Sequence, residues 1–191
     1  MEVKFHDIYI LLAKESVQIE DSLEKIYIKA KAKNFQKKES HVVNNKTSWE
    51  FLLSKENNLD LFETKKIIEI KLIGQGPGNI GANALKEYSK KPNPNILLVV
   101  TGEDLDRKSY SSAWVKVLEK AGAFISIDPL SKSSMLTWVQ EKGAKYNINI
   151  SSEAGKLLAE KTEGNLMATL QEINKLSLIY PSSDINLNKM E

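Results

Sequence analysis

Five short apolar runs, separated by segments of helical periodicity, constrain this chain more than any other feature in it. The strongest is 96–101, Ile-Leu-Leu-Val-Val-Thr, a continuous β-branched and leucine run that suits a strand covered on both faces. Residues 8–13 form a similar run, 65–73 a third with Ile67, Ile68, Ile70 and Leu72, and 123–127 a last short one. Residues 40–43 give a weaker signal between the first and third. Between them, 15–34 repeats apolar residues at Val17, Ile19, Leu23, Ile26, Tyr27 and Ala30, the spacing of one helical face. A short helix carrying Trp49, Phe51, Leu52 and Leu53 is expected after Thr47-Ser48. Further helices are expected over 81–90, ended by Pro92, and over 106–121, with Gly122 as the stop. Strands alternating with helices predict a three-layer α/β domain on a five-stranded parallel sheet.

The pattern changes after Asp128-Pro129. Three helices and no strand are expected there. The first spans 133–145, the second opens at Ser151-Ser152, and the third presents Leu166, Leu170, Ile173 and Leu176 on one face. The expected division is an α/β domain over 1–129 and a small helical domain over 130–191. That plan resembles AAA+ proteins, in which an α/β nucleotide-binding domain is followed by a helical lid.

Composition narrows the chemistry. There is no cysteine, so disulfides, thiolate zinc sites and thiol nucleophiles are excluded together. Net charge is +2 and Arg107 is the single arginine, a poor endowment for a domain that grips nucleic acid alone. The longest apolar run is far too short for a bilayer, and no signal peptide is read at the N-terminus, so a cytoplasmic protein without membrane contact is expected. His6 and His41 lack the spacing and partners of metal ligands, and no metal or other cofactor is expected. The run Lys29, Lys31, Lys33, Lys37 and Lys38 reads as a solvated helix end, with contact to DNA phosphates as the alternative.

Two motifs bear on nucleotides. Gly76-Pro77-Gly78-Asn79-Ile80-Gly81 is a literal G-x-G-x-x-G between a strand and a helix, with Glu103 22 residues beyond it. Yet Pro77 removes an amide from the loop, and the motif follows the third strand of the series rather than the first. A surface loop is the better reading, and a small nucleotide-binding enzyme using 76–81 is the alternative. The turn after the first strand reads Leu12-Ala13-Lys14-Glu15-Ser16, without the glycines that wrap backbone around phosphate. The third strand, Ile67-Ile68-Glu69-Ile70, lacks the Asp-Glu pair that would hold magnesium. No catalytic residue is nominated, and no ATP hydrolysis is expected.

Asn57-Asn58-Leu59-Asp60-Leu61-Phe62-Glu63 needs an explanation. Adjacent Leu61 and Phe62 point to opposite faces of a strand, or about 100° apart on a helix. Asp60 and Glu63 flank them, so full burial of both is unexpected. Either they build a local satellite core or they anchor in a partner's pocket.

Four stretches bring in a resemblance. Leu59-Asp60-Leu61-Phe62-Glu63-Thr64-Lys65-Lys66-Ile67-Ile68-Glu69-Ile70 looks like the Leu-Phe segment and following strand of the delta subunit of the bacterial DNA polymerase III clamp loader. Asn95 through Val100 with Leu105-Asp106-Arg107-Lys108, then Ser112 through Lys120, are similar to its next strand, turn and helix. Glu163-Gly164-Asn165-Leu166 through Gln171-Glu172-Ile173-Asn174-Lys175-Leu176 resembles its E-G-N-L signature. The family implies an AAA+-like fold with a degenerate nucleotide site. It implies that Leu59, Leu61 and Phe62 are the clamp-binding element, whose adjacent Leu-Phe pair wedges into the beta sliding clamp and opens it for loading on primed DNA. It also implies assembly with gamma/tau and delta-prime subunits within the polymerase (nucleotidyltransferase) holoenzyme. Where nucleotide-hydrolysing relatives place an arginine on the last lid helix, this chain has Met167. The family continues into a helical collar that would be absent here. A delta-prime-like subunit is the runner-up, although that subunit usually carries zinc-binding cysteines.

Overall fold

The computed structural model describes residues 4–53 and 65–190. The chain divides into two compact units, Met1–Asp128 and Pro129–Glu191.

In the first unit, the described residues form β1 (Ile8–Ala13), α1 (Ser16–Ala32), β2 (Lys37–Val43), α2 (Glu50–Leu53), β3 (Lys66–Leu72), α3 (Gly78–Lys90), β4 (Ile96–Glu103), α4 (Arg107–Tyr110), α5 (Ala113–Ala121) and β5 (Ala123–Ile127). The five strands make one parallel sheet in the order β2-β3-β4-β1-β5. Alternation along each strand divides the core in two. Ile8, Ile10, Leu12, Ile68, Ile70, Leu98 and Val100 face α2, α3 and α5, meeting Trp49, Leu85 and Leu118. Tyr9, Leu11, Ile67, Leu97 and Val99 face the other way, onto Ile19, Leu23, Ile26 and Ala30 of α1. The α/β reading of the sequence therefore holds, with both faces of the sheet covered as parallel pairing demands.

The expected helix over 106–121 is two helices. The Asp106 side chain caps α4 by accepting from the Lys108 amide at 3.1 Å, and the Ser112 hydroxyl donates to the Ser109 carbonyl at 2.6 Å. Short polar side chains that bond their own backbone break helical continuity there. The weak strand at 40–43 begins earlier, at Lys37, and pairs with β3 over its whole length. Its side chains are mostly exposed, so no apolar alternation announced it.

The second unit contains α6 (Lys132–Lys145), α7 (Ser152–Lys161) and α8 (Leu166–Ile179). It also holds two strands the sequence did not announce, β6 (Asn149–Ile150) and β7 (Asp184–Ile185), a parallel pair joining Ile150 to Ile185. Two residues are too few to carry a period, and only the burial of both isoleucines marks them. The signature at 163–166 has a local explanation. Glu163 and Gly164 take positive φ (52° and 75°) to end α7, and the Asn165 side chain caps α8 by accepting from the Ala168 amide at 2.9 Å.

Candidate functional site

In parallel α/β sheets ligands collect where the strands end, because loops and helix N-termini converge there. This chain has a cavity of about 560 Å³ at that edge, above the ends of β1, β3 and β4. Lys14, Ser16, Glu69, Lys71, Thr101 and Glu103 line it.

Register decides its chemistry. Ala13 on β1 lies opposite Glu103 on β4, so the strand ends bring Glu103 to the first turn of α1. Glu15 offers α1 no side-chain cap. Instead the Glu103 carboxylate accepts a hydrogen bond from the Ser16 amide at 3.0 Å. A helix N-terminus favours an anion, and here the chain supplies one from its own side chains. Glu20 and Asp104 add negative charge to the same lining, against Lys14 and Lys71. A nucleotide's phosphates would have to displace Glu103 and face its neighbours. The sequence signalled this residue only as the distant partner of the glycine motif. Its role depends on a strand register that no local pattern reveals.

Glu69 is the buried charge of the site, 1 % exposed. It forms an ion pair with Lys38 and a longer one with Lys71 at 3.6 Å. Burial, with the Glu69 carboxylate beside it, pushes the Tyr27 hydroxyl pKa up.

The glycine motif is committed to packing. Residues 78–81 open α3 rather than forming a surface loop. Gly78 has φ +62°, and a Cβ there would lie 2.9 Å from Asn45. A Cβ on Gly81 would lie 2.4 Å from the Trp49 ring. The close approaches that a dinucleotide fingerprint reserves for pyrophosphate are made here by Asn45 and Trp49, and Pro77 contributes no amide.

Leu59, Leu61 and Phe62 lie outside the described residues. The chain before them is firmly seated. Trp49 is buried, Phe51 stacks on the His41 ring at 3.9 Å and 13°, and Trp49 and Phe51 are 5.8 Å apart. His41 is thus a structural ring beneath α2. His6 donates its backbone amide to the Tyr9 hydroxyl at 3.1 Å. No cluster of potential metal ligands occurs among the described residues. Met167 sits in the first turn of α8, 40 % exposed, and puts an apolar thioether there. No helix among the described residues is long and apolar enough to cross a membrane.

Known proteins resemble this chain over most of its length. Residues 9–128 match the family described as DNA polymerase III, delta subunit. DNA polymerase III subunit delta of Escherichia coli K12 is 22% identical over 183 residues, covering 96% of this chain and 53% of that protein. The Buchnera aphidicola subunit delta is 25% identical, with 98% and 56% covered. The chain thus spans about half the length of the curated relatives it matches. Among solved structures, the Bacillus subtilis DNA clamp loader delta protein superposes with a TM-score of 0.62 at 19% identity, covering 97% of this chain and 57% of that one. The Thermotoga maritima RuvB Holliday junction branch migration motor gives 0.55 at 12% identity, with 95% and 59% covered. At such identities these structures speak to the fold alone, which is AAA+-like.

Proposed function

The chain belongs to the DNA polymerase III delta-subunit family, and from that premise we propose that it is the part of a clamp-loader delta subunit that binds and opens the beta sliding clamp. The match across residues 9–128 carries this reading. In it, Leu59, Leu61 and Phe62 are the clamp-binding element, and the adjacent Leu61 and Phe62 enter an apolar pocket on the clamp. Each large side chain desolvated there contributes roughly 1.5–3 kcal/mol. Binding the open clamp better than the closed one shifts the ring toward opening, with no chemical step required of this chain.

The subunit has no ATPase activity of its own in this reading. Supporting that are the glycine-free turn at 12–16 and the Glu103 carboxylate on the Ser16 amide. Gamma/tau subunits, the delta-prime subunit and primed DNA complete the assembly, and the complex works in the bacterial cytoplasm as part of the replicative polymerase. The domain plan in this reading is an AAA+-like domain over 1–129 that carries the clamp element and a helical lid over 130–191.

Calorimetric titration with the cognate clamp tests the reading. The wild-type chain is expected to bind, and Leu61→Ala with Phe62→Ala to weaken binding at least about a hundredfold while the circular dichroism stays unchanged. A wild-type chain that ignores the clamp, or a folded double variant that binds like wild type, overturns it.

A further inference from the structure

Because all five strands of the sheet are parallel and each main helix returns the chain to its starting side, strand starts and helix ends share one edge. Lysines gather there although the chain's net charge is only +2. Lys29 and Lys31 lie in the last turn of α1, Lys33 at its C-cap, Lys37 at the start of β2 and Lys65 just before β3. Complementing a helix C-terminus explains the α1 lysines. It does not explain those at the strand starts, where the net dipole is small.

These lysines are seated on an aromatic bed. The Lys33 Nζ stands 5.2 Å from the centre of the Phe5 ring and the Lys65 Nζ 5.3 Å from that of Phe35, with the two rings 5.9 Å apart. The Lys65 Nζ also donates to the Lys33 carbonyl at 3.2 Å, tying the end of α1 to the start of β3. Such contacts hold the apolar stems against the protein and leave the ammonium groups at its surface, partly pre-ordered. Carboxylates are interleaved: Glu39 pairs with Lys66 at 3.2 Å, Glu69 pairs with Lys38, and Asp7 precedes β1. The single arginine of the chain, Arg107, lies beyond the end of β4, at the opposite edge.

We propose that this N-terminal edge of the sheet is an electrostatic steering surface for an acidic protein surface, that of the clamp. The inference rests on the clamp-binding reading above. Its second support is connectivity: the described chain resumes on this edge, at Lys65, three residues after Phe62. Three residues reach at most about 10 Å, so a partner held at Phe62 comes within reach of Lys65. Interleaved carboxylates and the lack of arginine at this edge fit an acidic protein surface better than a phosphate backbone. Steering acts on the rate of encounter and fades with salt, whereas the apolar anchor governs how long the complex lasts.

Stopped-flow association with the cognate clamp separates these roles. Lys31→Glu with Lys37→Glu is compared with Lys46→Glu and Lys108→Glu, a pair of reversals at the opposite edge with the same change in net charge. At low ionic strength the first pair is expected to slow association about tenfold, with dissociation unchanged and the difference gone in high salt. The control pair is expected to slow it about twofold at most. Equal slowing by both pairs, or none by the first, overturns the inference while wild-type binding keeps the clamp reading intact. So does a first pair that loses affinity for duplex DNA but not speed toward the clamp, which makes the edge a nucleic-acid surface. Absence of wild-type clamp binding overturns both.

Discussion

The two edges of the five-stranded parallel sheet present opposite chemistry. At the edge where the strands end, a cavity of about 560 Å³ remains, but the helix N-terminus beside it already holds a carboxylate of the chain itself. Glu103 takes the amide of α1, and Trp49 and Asn45 occupy the space beside the glycines of α3. At the edge where they begin, lysines stand outward on Phe5 and Phe35. One edge turns a carboxylate onto its own helix N-terminus, and the other, in our proposal, offers charge to a partner. In the proposed reading an AAA+-like scaffold gives up its nucleotide without losing the architecture, because the Glu103 carboxylate takes the helix N-terminus.

The closed edge depends most on a contact that tolerates no added atom. Gly81→Ala places a methyl 2.4 Å from the Trp49 ring, which is 3 % exposed and unable to retreat. Overpacking of this kind costs about 2–3 kcal/mol. Thermal denaturation is expected to show a drop of roughly 4–12 °C for a chain of this size. Combining it with Trp49→Leu returns the double variant toward the stability of Trp49→Leu alone. If Gly81→Ala is silent, the glycine is not needed for packing, and the nucleotide interpretation of the motif regains ground.

Glu69 links the two edges, since Lys38 reaches it from the start of β2 and Lys71 from the end of β3. Removing one partner of a buried charge is costlier than removing the whole group. Lys38 is 43 % exposed and Lys71 remains, so Lys38→Met is expected to cost about 1–2 kcal/mol in urea denaturation, less than a fully buried pair would. Glu69→Leu, similar in volume and needing no partner, is expected within about 1 kcal/mol of wild type. The reverse ranking would mean that the carboxylate stabilises the sheet outright, and the two edges would then be less independent than their chemistry suggests.

What could be read from the sequence follows from where side chains point. The strand Ile8–Ala13 has the bounds that its apolar run predicts, because burial on both faces leaves a continuous signal, and the half-buried edge strand Ala123–Ile127 keeps its predicted bounds too. β2 lost its first three residues in the reading because Lys37, Lys38 and Glu39 look like loop, although the backbone pairs throughout. The break between α4 and α5 was hidden because Ser111 and Ser112 are neutral in a periodicity count yet donate to the Lys108 and Ser109 carbonyls. The candidate element Leu59, Leu61 and Phe62 came from resemblance, since adjacent apolar residues between carboxylates fit either a satellite core or an anchor. Glu103 was in view only as a partner of the glycine motif, and its place on α1 could not be read without knowing that β1 and β4 are neighbours in register.

That residue also gives the smallest effect and the most direct test of the closed edge. Glu103→Ala removes the side-chain acceptor of the Ser16 amide, and no cap from Glu15 replaces it. Loss of an N-terminal acceptor costs about 1 kcal/mol, lowered here by solvent at an exposed carboxylate. Glu103→Gln keeps an oxygen in reach but discards the charge, so its cost isolates the helix-dipole share, about 0.3–0.5 kcal/mol at low salt. Amide hydrogen exchange at Ser16 and Val17 provides a local readout that global stability lacks. It should accelerate in Glu103→Ala and much less in Glu103→Gln. Unchanged exchange in Glu103→Ala would mean that α1 begins without help from β4. The strand-end edge would then be an empty cavity with a carboxylate near it, and the contrast with the lysine edge would rest on charge alone.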